Sequence, residues 1–157
     1  MKRLLRLLPL MLLAGAGPVS AGDATVFVGF GSPRDSWDRG YGAALSSTWF
    51  RAVALEAEAA RLPGVVPDST FTSFTGSALL APPIGSLTPY GGFGVGLFRQ
   101  GLGSEHDTGF LKALVLGLKL RVGGLLVVKG EYRRYDLAGT PLVALDSRYS
   151  LGAGISF

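Results

Sequence analysis

Four neighbouring residues have the side-chain types of a hydrolytic site: Ser104, Glu105, His106 and Asp107. A serine, a histidine and a carboxylate together can activate the serine hydroxyl as a nucleophile. Catalytic partners usually come from separate segments of a chain, because their side chains must meet within hydrogen-bonding distance. Four consecutive residues in a polar loop do not meet in this way. We therefore predict a solvated loop over residues 100–107 and no catalytic residue in it.

The composition does not favour a metal, a cofactor or a nucleic acid as a ligand. The 157 residues include no cysteine and a single histidine, so we predict no transition-metal site and no disulfide. The glycine-rich run 92–96 lacks the spacing, the following helix and the lysine of a phosphate-binding loop. The formal net charge is +4, but Lys2, Arg3 and Arg6 supply three of these charges, so a nucleic-acid partner is not indicated.

Seven charged residues alternate with apolar or small neighbours in three segments. They are Glu56, Glu58, Lys119, Arg121, Lys129, Glu131 and Arg133. Side chains two residues apart in a β-strand point to the same face, so the charges of each segment share one face. Three acids and four bases nearly balance, and balanced charges in a narrow interior form ion pairs. We therefore predict an ion-paired polar core rather than a selective pore or a proton path.

Alternation with a period of two recurs along most of the chain and predicts strands with one apolar face. In the last segment, Tyr149, Leu151 and Ile155 alternate with small or polar residues. The segment 52–62 is rich in Ala, Leu and Glu, which are strong helix formers. We nevertheless predict a strand there, because its two glutamates then share one polar face. The uncharged stretch 69–98 is no spanning helix, because prolines and glycines interrupt it repeatedly.

Eight strands follow from this pattern. Their predicted ranges are roughly 24–31, 40–50, 52–62, 70–82, 87–99, 108–122, 125–136 and 148–157. The connections alternate in length, with short turns at 50–51, 85–86 and 123–124 and longer loops at 32–39, 63–69, 100–107 and 137–147. An even number of strands with short turns at one end and long loops at the other is typical of an up-and-down barrel in an outer membrane.

The N-terminal residues have the pattern of a secretory signal peptide. Lys2, Arg3 and Arg6 form a positively charged region, an apolar region follows, and Val19-Ser20-Ala21 is a small-residue cleavage site. The uncharged stretch before Asp23 is too short and too rich in Gly, Pro and Ser for a spanning helix. We therefore predict a signal peptide over residues 1–21 and a single barrel domain over residues 22–157.

The last eight residues resemble the C-terminal signal of bacterial outer-membrane proteins. The matching positions are Ser150, Gly152, Ile155 and the terminal Phe157. The run 89–96 resembles the fifth strand of small eight-stranded barrels of the OmpA-like and Opa-like superfamily. This resemblance implies an all-β fold, an eight-stranded antiparallel up-and-down transmembrane β-barrel. It also implies that the outer-membrane assembly machinery recognises the last strand.

The physics of the bilayer agrees with this resemblance. In hydrocarbon every backbone N–H and C=O group must be paired internally, so strands can cross a membrane only as a closed barrel. The alternative is a soluble, lipocalin-like barrel, in which the apolar faces point inward and the charges outward. Glycines such as Gly94 and Gly154 on the polar face favour the membrane version, because an eight-stranded lumen needs small positions beside large ones.

We thus expect a monomeric, non-enzymatic outer-membrane protein of a Gram-negative-type bacterium, with a filled lumen and a structural or surface-interaction role. Expected partners are outer-membrane lipid and lipopolysaccharide, for whose phosphates Arg133 and Arg134 are candidates if they are not simply rim charges. One alternative is a narrow channel or carrier for small or hydrophobic solutes. Another is a lipid-modifying hydrolase at His106, although the family's lipid-deacylating barrels place His and Ser on a strand.

Overall fold

A computed structural model describes residues 21–32, 38–49, 52–63, 69–139, 141–142 and 145–157. It contains eight strands: β1 (Ala21–Ser32), β2 (Asp38–Trp49), β3 (Val53–Pro63), β4 (Ser69–Leu80), β5 (Leu87–Leu102), β6 (Glu105–Val122), β7 (Leu126–Leu137) and β8 (Ser147–Ser156). Residues 1–20, which hold most of the predicted signal peptide, lie outside the described residues. In the described part of the chain, no helix is both long and apolar enough to cross a bilayer.

The eight strands form a closed barrel in which each strand pairs antiparallel with its neighbours in sequence. The ring closes where β1 pairs with β8, with Asp23 opposite Ser156 and Phe30 opposite Tyr149. Strand β3 alternates strictly between exposed and buried residues over its whole length. The burial of one face against the lumen therefore outweighs the helix propensity of its Ala, Leu and Glu residues. The predicted fold class, an all-β eight-stranded up-and-down barrel, is confirmed.

The connections lie at two distinct ends of the barrel. At the turn end, β6 and β7 are joined by a tight turn in which Gly123 and Gly124 have φ of +61° and +80°. The β4–β5 and β2–β3 connections and the C-terminal Phe157 lie at this same end. At the loop end lie the connections β1–β2, β3–β4, β5–β6 and β7–β8.

The predicted loop over residues 100–107 is wrong. Strands β5 and β6 extend toward each other as a regular hairpin, in which Gln100 pairs with Asp107 and Leu102 with Glu105. Only two residues form the turn, and Gly103 supplies the left-handed backbone conformation with φ of +57°. The polar residues of this segment suggested a loop. They are polar because the tip of the hairpin is exposed to solvent.

The two faces of the barrel wall have opposite polarity. Large apolar side chains cover the outside, where Phe93, Phe110 and Val26 are 73%, 72% and 67% exposed. The inside is filled by buried side chains and by glycines where the wall has no room. For example, a Cβ atom on Gly154 of β8 would overlap the carbonyl oxygen of Ala24 on β1.

An apolar cluster fills the loop end of the lumen. Phe71 and Phe98 stack there with ring centroids 5.8 Å apart, and the Phe71 ring also lies 6.3 Å from that of Tyr135. Leu62, Leu111 and Leu145 belong to the same buried cluster. Because these side chains exclude water, they separate the middle of the lumen from the solvent at the loop end.

Candidate functional site

The middle of the lumen is occupied by a network of ion pairs centred on Arg133. Its Nη2 atom lies 2.5 Å from Glu56 Oε1 and 3.1 Å from Glu58 Oε2, and its Nε atom lies 2.5 Å from Glu131 Oε1. The remaining guanidinium nitrogen, Nη1, donates to Thr75 Oγ1 at 3.0 Å. One side chain from β7 thus contacts all three glutamates, which come from β3 and β7.

Lys129 belongs to the same network and lies on the side nearer the turn end. Its ammonium group lies 2.5 Å from Glu56 Oε2 and 2.9 Å from Glu131 Oε2. The hydroxyl of Tyr90 donates to the same Glu131 oxygen at 2.9 Å. The Lys129 ammonium also lies 5.3 Å from the centre of the Tyr90 ring, which is a cation–π distance. Tyr90 was not among the predicted site residues, because its hydroxyl carries no formal charge.

Arg148 on β8 is a member of the network that was not included in the predicted set. Its Nη2 atom lies 2.7 Å from Glu58 Oε2 and 3.4 Å from Glu131 Oε1. The guanidinium lies over the ring of Phe27, 4.6 Å from its centre. The alternation in β8 already places Arg148 on the polar face, so a signal for it was present in the sequence.

A second ion pair lies nearer the turn end. Lys119 Nζ is 2.5 Å from Asp23 Oδ2, and it also donates to Ser46 Oγ at 3.4 Å. Asp23 was missed because the predicted first strand began one residue later. Arg121 has the same facing as Lys119, but it lies exposed at the end of β6 and does not join either cluster. Its inclusion in the predicted network was wrong, because its side chain is exposed and forms no ion pair with any described residue.

The buried charges of the described residues balance. Four acids, Asp23, Glu56, Glu58 and Glu131, are matched by four bases, Lys119, Lys129, Arg133 and Arg148. Carboxylate oxygens of the three glutamates lie within 4.8 Å of one another, which is close enough to hold a metal ion. Three cationic side chains already contact those oxygens, so the arrangement suits an ion-paired core better than a metal centre.

His106 lies on the outer wall and not in a loop. It is exposed at the start of β6, opposite Gly101 of β5, while Ser104 lies in the turn before it. In the described part of the chain, no hydrogen bond joins His106 to a serine or threonine hydroxyl.

The predicted assembly-signal residues lie on β8 and at Phe157 directly after it. Ser150 and Gly152 are on the inward face, whereas Ile155 and Phe157 point outward and are 50% and 73% exposed. Of the two arginines considered for lipopolysaccharide phosphates, Arg133 is completely buried in the lumen, so that expectation is wrong for it. Arg134 is exposed on the outer wall.

Solved structures with the same fold were found, although no protein-family model and no curated protein matches the sequence. Neisserial surface protein A superposes with a TM-score of 0.65 at 16% identity, covering 87% of this chain and 94% of that one. The attachment invasion locus protein Ail of Yersinia pestis gives 0.58 at 16% identity, with 87% and 98% covered. The outer membrane enzyme PagL gives 0.51 at 18% identity, with 85% and 98% covered.

The chain thus has the fold of the small eight-stranded outer-membrane β-barrels, as the sequence resemblance implied. These similar structures include surface proteins and one enzyme. The fold is therefore compatible with several activities, and the function has to be argued from the side chains.

Proposed function

We propose that this chain is an integral outer-membrane protein, exported by its N-terminal signal peptide, with a filled lumen and a structural or surface-interaction role. The observation that carries the proposal is the polarity of the wall. Eight charged side chains are buried inside the barrel, while its outside is covered by exposed Val, Leu, Ile and Phe side chains. A protein in water has the reverse arrangement.

The exposed apolar surface needs hydrocarbon around it. Each Å² of apolar surface in contact with water costs about 25 cal/mol, so a wall of this composition is stable only when lipid covers it. Aromatic residues support the same placement, because Tyr41 and Tyr149 lie on the outer face near the loop ends of β2 and β8. Such aromatic girdles mark the membrane interfaces of outer-membrane barrels.

The contents of the lumen favour a closed barrel over a channel. The ion-pair network fills the middle, and the apolar cluster around Phe71 and Phe98 fills the loop end. A solute would have to displace both layers, and separating the buried pairs is costly. A non-enzymatic role is part of this proposal, and it is supported by the exposed position of His106 on the outer wall and of Ser104 in the turn before it.

The decisive experiment is to express the full chain in a Gram-negative host, isolate outer membranes, and compare its gel mobility in SDS with and without boiling. A closed barrel unfolds slowly in cold SDS and shifts only on heating. We expect a membrane-bound band that shifts. A periplasmic, soluble protein without a shift would contradict the proposal and make a lipocalin-like carrier the better interpretation.

A second measurement addresses the enzyme alternative. Lipid A is extracted from cells that express the wild-type chain or the His106→Ala variant and is analysed by mass spectrometry. We expect identical lipid A in both strains and in cells without the protein. Loss of an acyl chain in the wild-type strain only would replace the proposed role by lipid hydrolysis.

A further inference from the structure

The outer wall carries a cleft of about 300 Å³ near the loop end. Six of its seven lining residues are polar or charged. Gln100 is buried on the inward face of β5, and the five on the outward face are Arg61, Thr70, Thr72, Arg99 and His106. The strands β3 to β6 place them together, and none of them was identified from the sequence as part of a common site. The cleft is separate from the ion-paired lumen, because all five side chains are on the outward face.

The strand register fixes the positions of these groups. Thr72 pairs with Arg61 on one side and with Arg99 on the other, so a threonine hydroxyl lies between two arginines. In the next row, Thr70 pairs with Gly101, which pairs in turn with His106. Neighbouring strands are about 4.8 Å apart, so the two arginine backbones are separated by about 10 Å. A tetrahedral anion between them can contact both guanidinium groups.

Unlike the arginines of the lumen, Arg61 and Arg99 have no acidic partner within the part of the chain that the structure describes. Each lumen arginine contacts at least two carboxylates, whereas among the described residues no carboxylate lies within ion-pair distance of Arg61 or Arg99. An unpaired cation on a wall that contacts lipid is costly unless an anion is supplied from outside the chain. Paired guanidinium groups suit a phosphate group in particular, because each can donate two parallel hydrogen bonds to its oxygens.

An apolar groove of about 570 Å³ lies on the same wall, closer to the middle of the barrel. Small side chains leave this groove open, among them Ala43, Ala57 and Ala59, and Phe74 forms one of its sides. Along β3, the outward residues run from Ala57 through Ala59 to Arg61 of the cleft. The groove and the basic cleft are therefore adjacent on the outer wall, since Ala59 and Arg61 are successive outward residues of β3.

We propose that the cleft and the groove together bind one phosphorylated membrane lipid. Its phosphate lies between Arg61 and Arg99 and accepts a hydrogen bond from the Thr72 hydroxyl. One acyl chain lies in the groove along Ala57, Ala59 and Phe74. This inference rests on the proposed function, since only a barrel in a membrane presents this wall to lipid, and it specifies which lipid the wall selects.

The test uses the full chain, purified from outer membranes in a non-ionic detergent, and native mass spectrometry to measure bound lipid. The probes are dioleoyl phosphatidic acid, which carries a phosphomonoester, and dioleoyl phosphatidylcholine, which has the same acyl chains and a zwitterionic head. We expect one molecule of phosphatidic acid to bind at least about tenfold more tightly than phosphatidylcholine. Equal binding of the two lipids would overturn the inference.

Variants separate a specific site from general attraction of anions. The double variant Arg61→Gln, Arg99→Gln is expected to weaken phosphatidic acid binding at least about tenfold. The matched control is Arg134→Gln, which removes an exposed outward arginine from β7 on another part of the wall. An equal loss in the control and the double variant would show that the cleft has no special role.

The groove is tested with Ala59→Leu and with inorganic phosphate as a competitor. We expect the larger side chain to weaken lipid binding several-fold, and we expect millimolar phosphate not to displace the lipid. Complete displacement by phosphate, with no effect of Ala59→Leu, would assign the cleft to free anions and overturn the lipid site. Cold-SDS mobility is recorded for every variant. A wild-type chain that shifts on heating but prefers no phosphorylated lipid refutes this inference alone, whereas a chain that does not shift refutes the proposed function.

Discussion

Arg133 Nη2 and Glu56 Oε1 lie 2.5 Å apart in the lumen, with side chains that are 0% and 2% exposed, although 77 positions separate them in the sequence. Neither charge can reach water, so each depends on its ion-pair partners in the lumen, which include Lys129 for Glu56 and two more glutamates for Arg133. A buried charge that loses its partner costs far more free energy than the intact pair contributes. The energetics of the whole network can therefore be tested at this one contact.

Arg133→Met is expected to lower the free energy of unfolding by about 3–5 kcal/mol, because three glutamates lose a cationic partner at once. The measurement is urea-induced unfolding in phospholipid vesicles, followed by tryptophan fluorescence. Arg134→Met is the matched control, because Arg134 follows Arg133 directly in β7 but its side chain is exposed on the outside of the barrel. Similar losses in the two variants would contradict an ion-paired lumen.

The second ion pair predicts a coupling between β1 and β6. Lys119→Met and Asp23→Asn should each destabilise the barrel, because each leaves a polar group unpaired beside the lumen wall. The double variant should lose about 0.5–3 kcal/mol less free energy of unfolding than the sum of the losses in the two single variants. The same unfolding measurement in a double-mutant cycle gives this value, and strict additivity would mean that the 2.5 Å contact contributes no stability.

The membrane placement predicts a dependence on depth at the outer wall. Leu116 and Val122 both point outward from β6 and are 49% and 46% exposed, but the first lies in the middle of the paired strand and the second at its turn end. Leu116→Arg should cost about 2–4 kcal/mol of folding free energy in vesicles and Val122→Arg about 0–1 kcal/mol. In a barrel surrounded by water, both substitutions would be nearly neutral.

The filled lumen predicts an absence of ion conduction. Purified wild-type protein in planar bilayers should give no sustained conductance steps. The variant Phe71→Ala, Phe98→Ala removes the stacked rings of the loop end and should lose several kcal/mol of unfolding free energy. It should still conduct no ions, because the ion-pair network continues to fill the middle of the lumen. Sustained steps in the wild-type protein would favour the channel alternative instead.

Closure of the barrel predicts a steric requirement at Gly154. A methyl group at this position would overlap the carbonyl oxygen of Ala24 on the adjacent strand, so Gly154→Ala should destabilise the β1–β8 pairing by about 1–3 kcal/mol. The control is Gly130→Ala, because no described heavy atom lies within 4 Å of a Cβ placed there. The temperature of the gel-mobility shift in SDS reports both effects, and equal shift temperatures would contradict the close approach.

The strands and their facing could be predicted from the sequence because both depend on local alternation. The inward direction of Glu56, Lys129 and Arg133 follows from their positions in a period of two, and no knowledge of distant residues is needed. Alternation also gave the correct assignment of β3 as a strand, whereas intrinsic propensity alone would have predicted a helix. The burial of one face determines the structure of such a segment.

The partners of the charged residues could not be predicted in the same way. Which acid meets which base depends on the tilt of the strands and on how far each is shifted against its neighbours, which is a property of the closed ring. The pairing of Lys119 with Asp23 and that of Arg148 with Glu58 could not be predicted for this reason, because each joins two strands that are not neighbours. The outer cleft was missed as well, because Arg61 and Arg99 are far apart in sequence and become neighbours only through Thr72.

The ion pairs near the β1–β8 junction have a consequence for assembly. Asp23 of β1 contacts Lys119 of β6, and Arg148 of β8 contacts Glu58 of β3, so each of the two terminal strands is paired in charge with a strand that is not its neighbour. In a sheet that has not yet closed, Asp23 would lack Lys119, and Arg148 would keep only Glu131 of the neighbouring β7. The neutralisation of these charges is therefore completed only when the first strand joins the last, so we expect partly assembled intermediates to be disfavoured relative to the closed barrel.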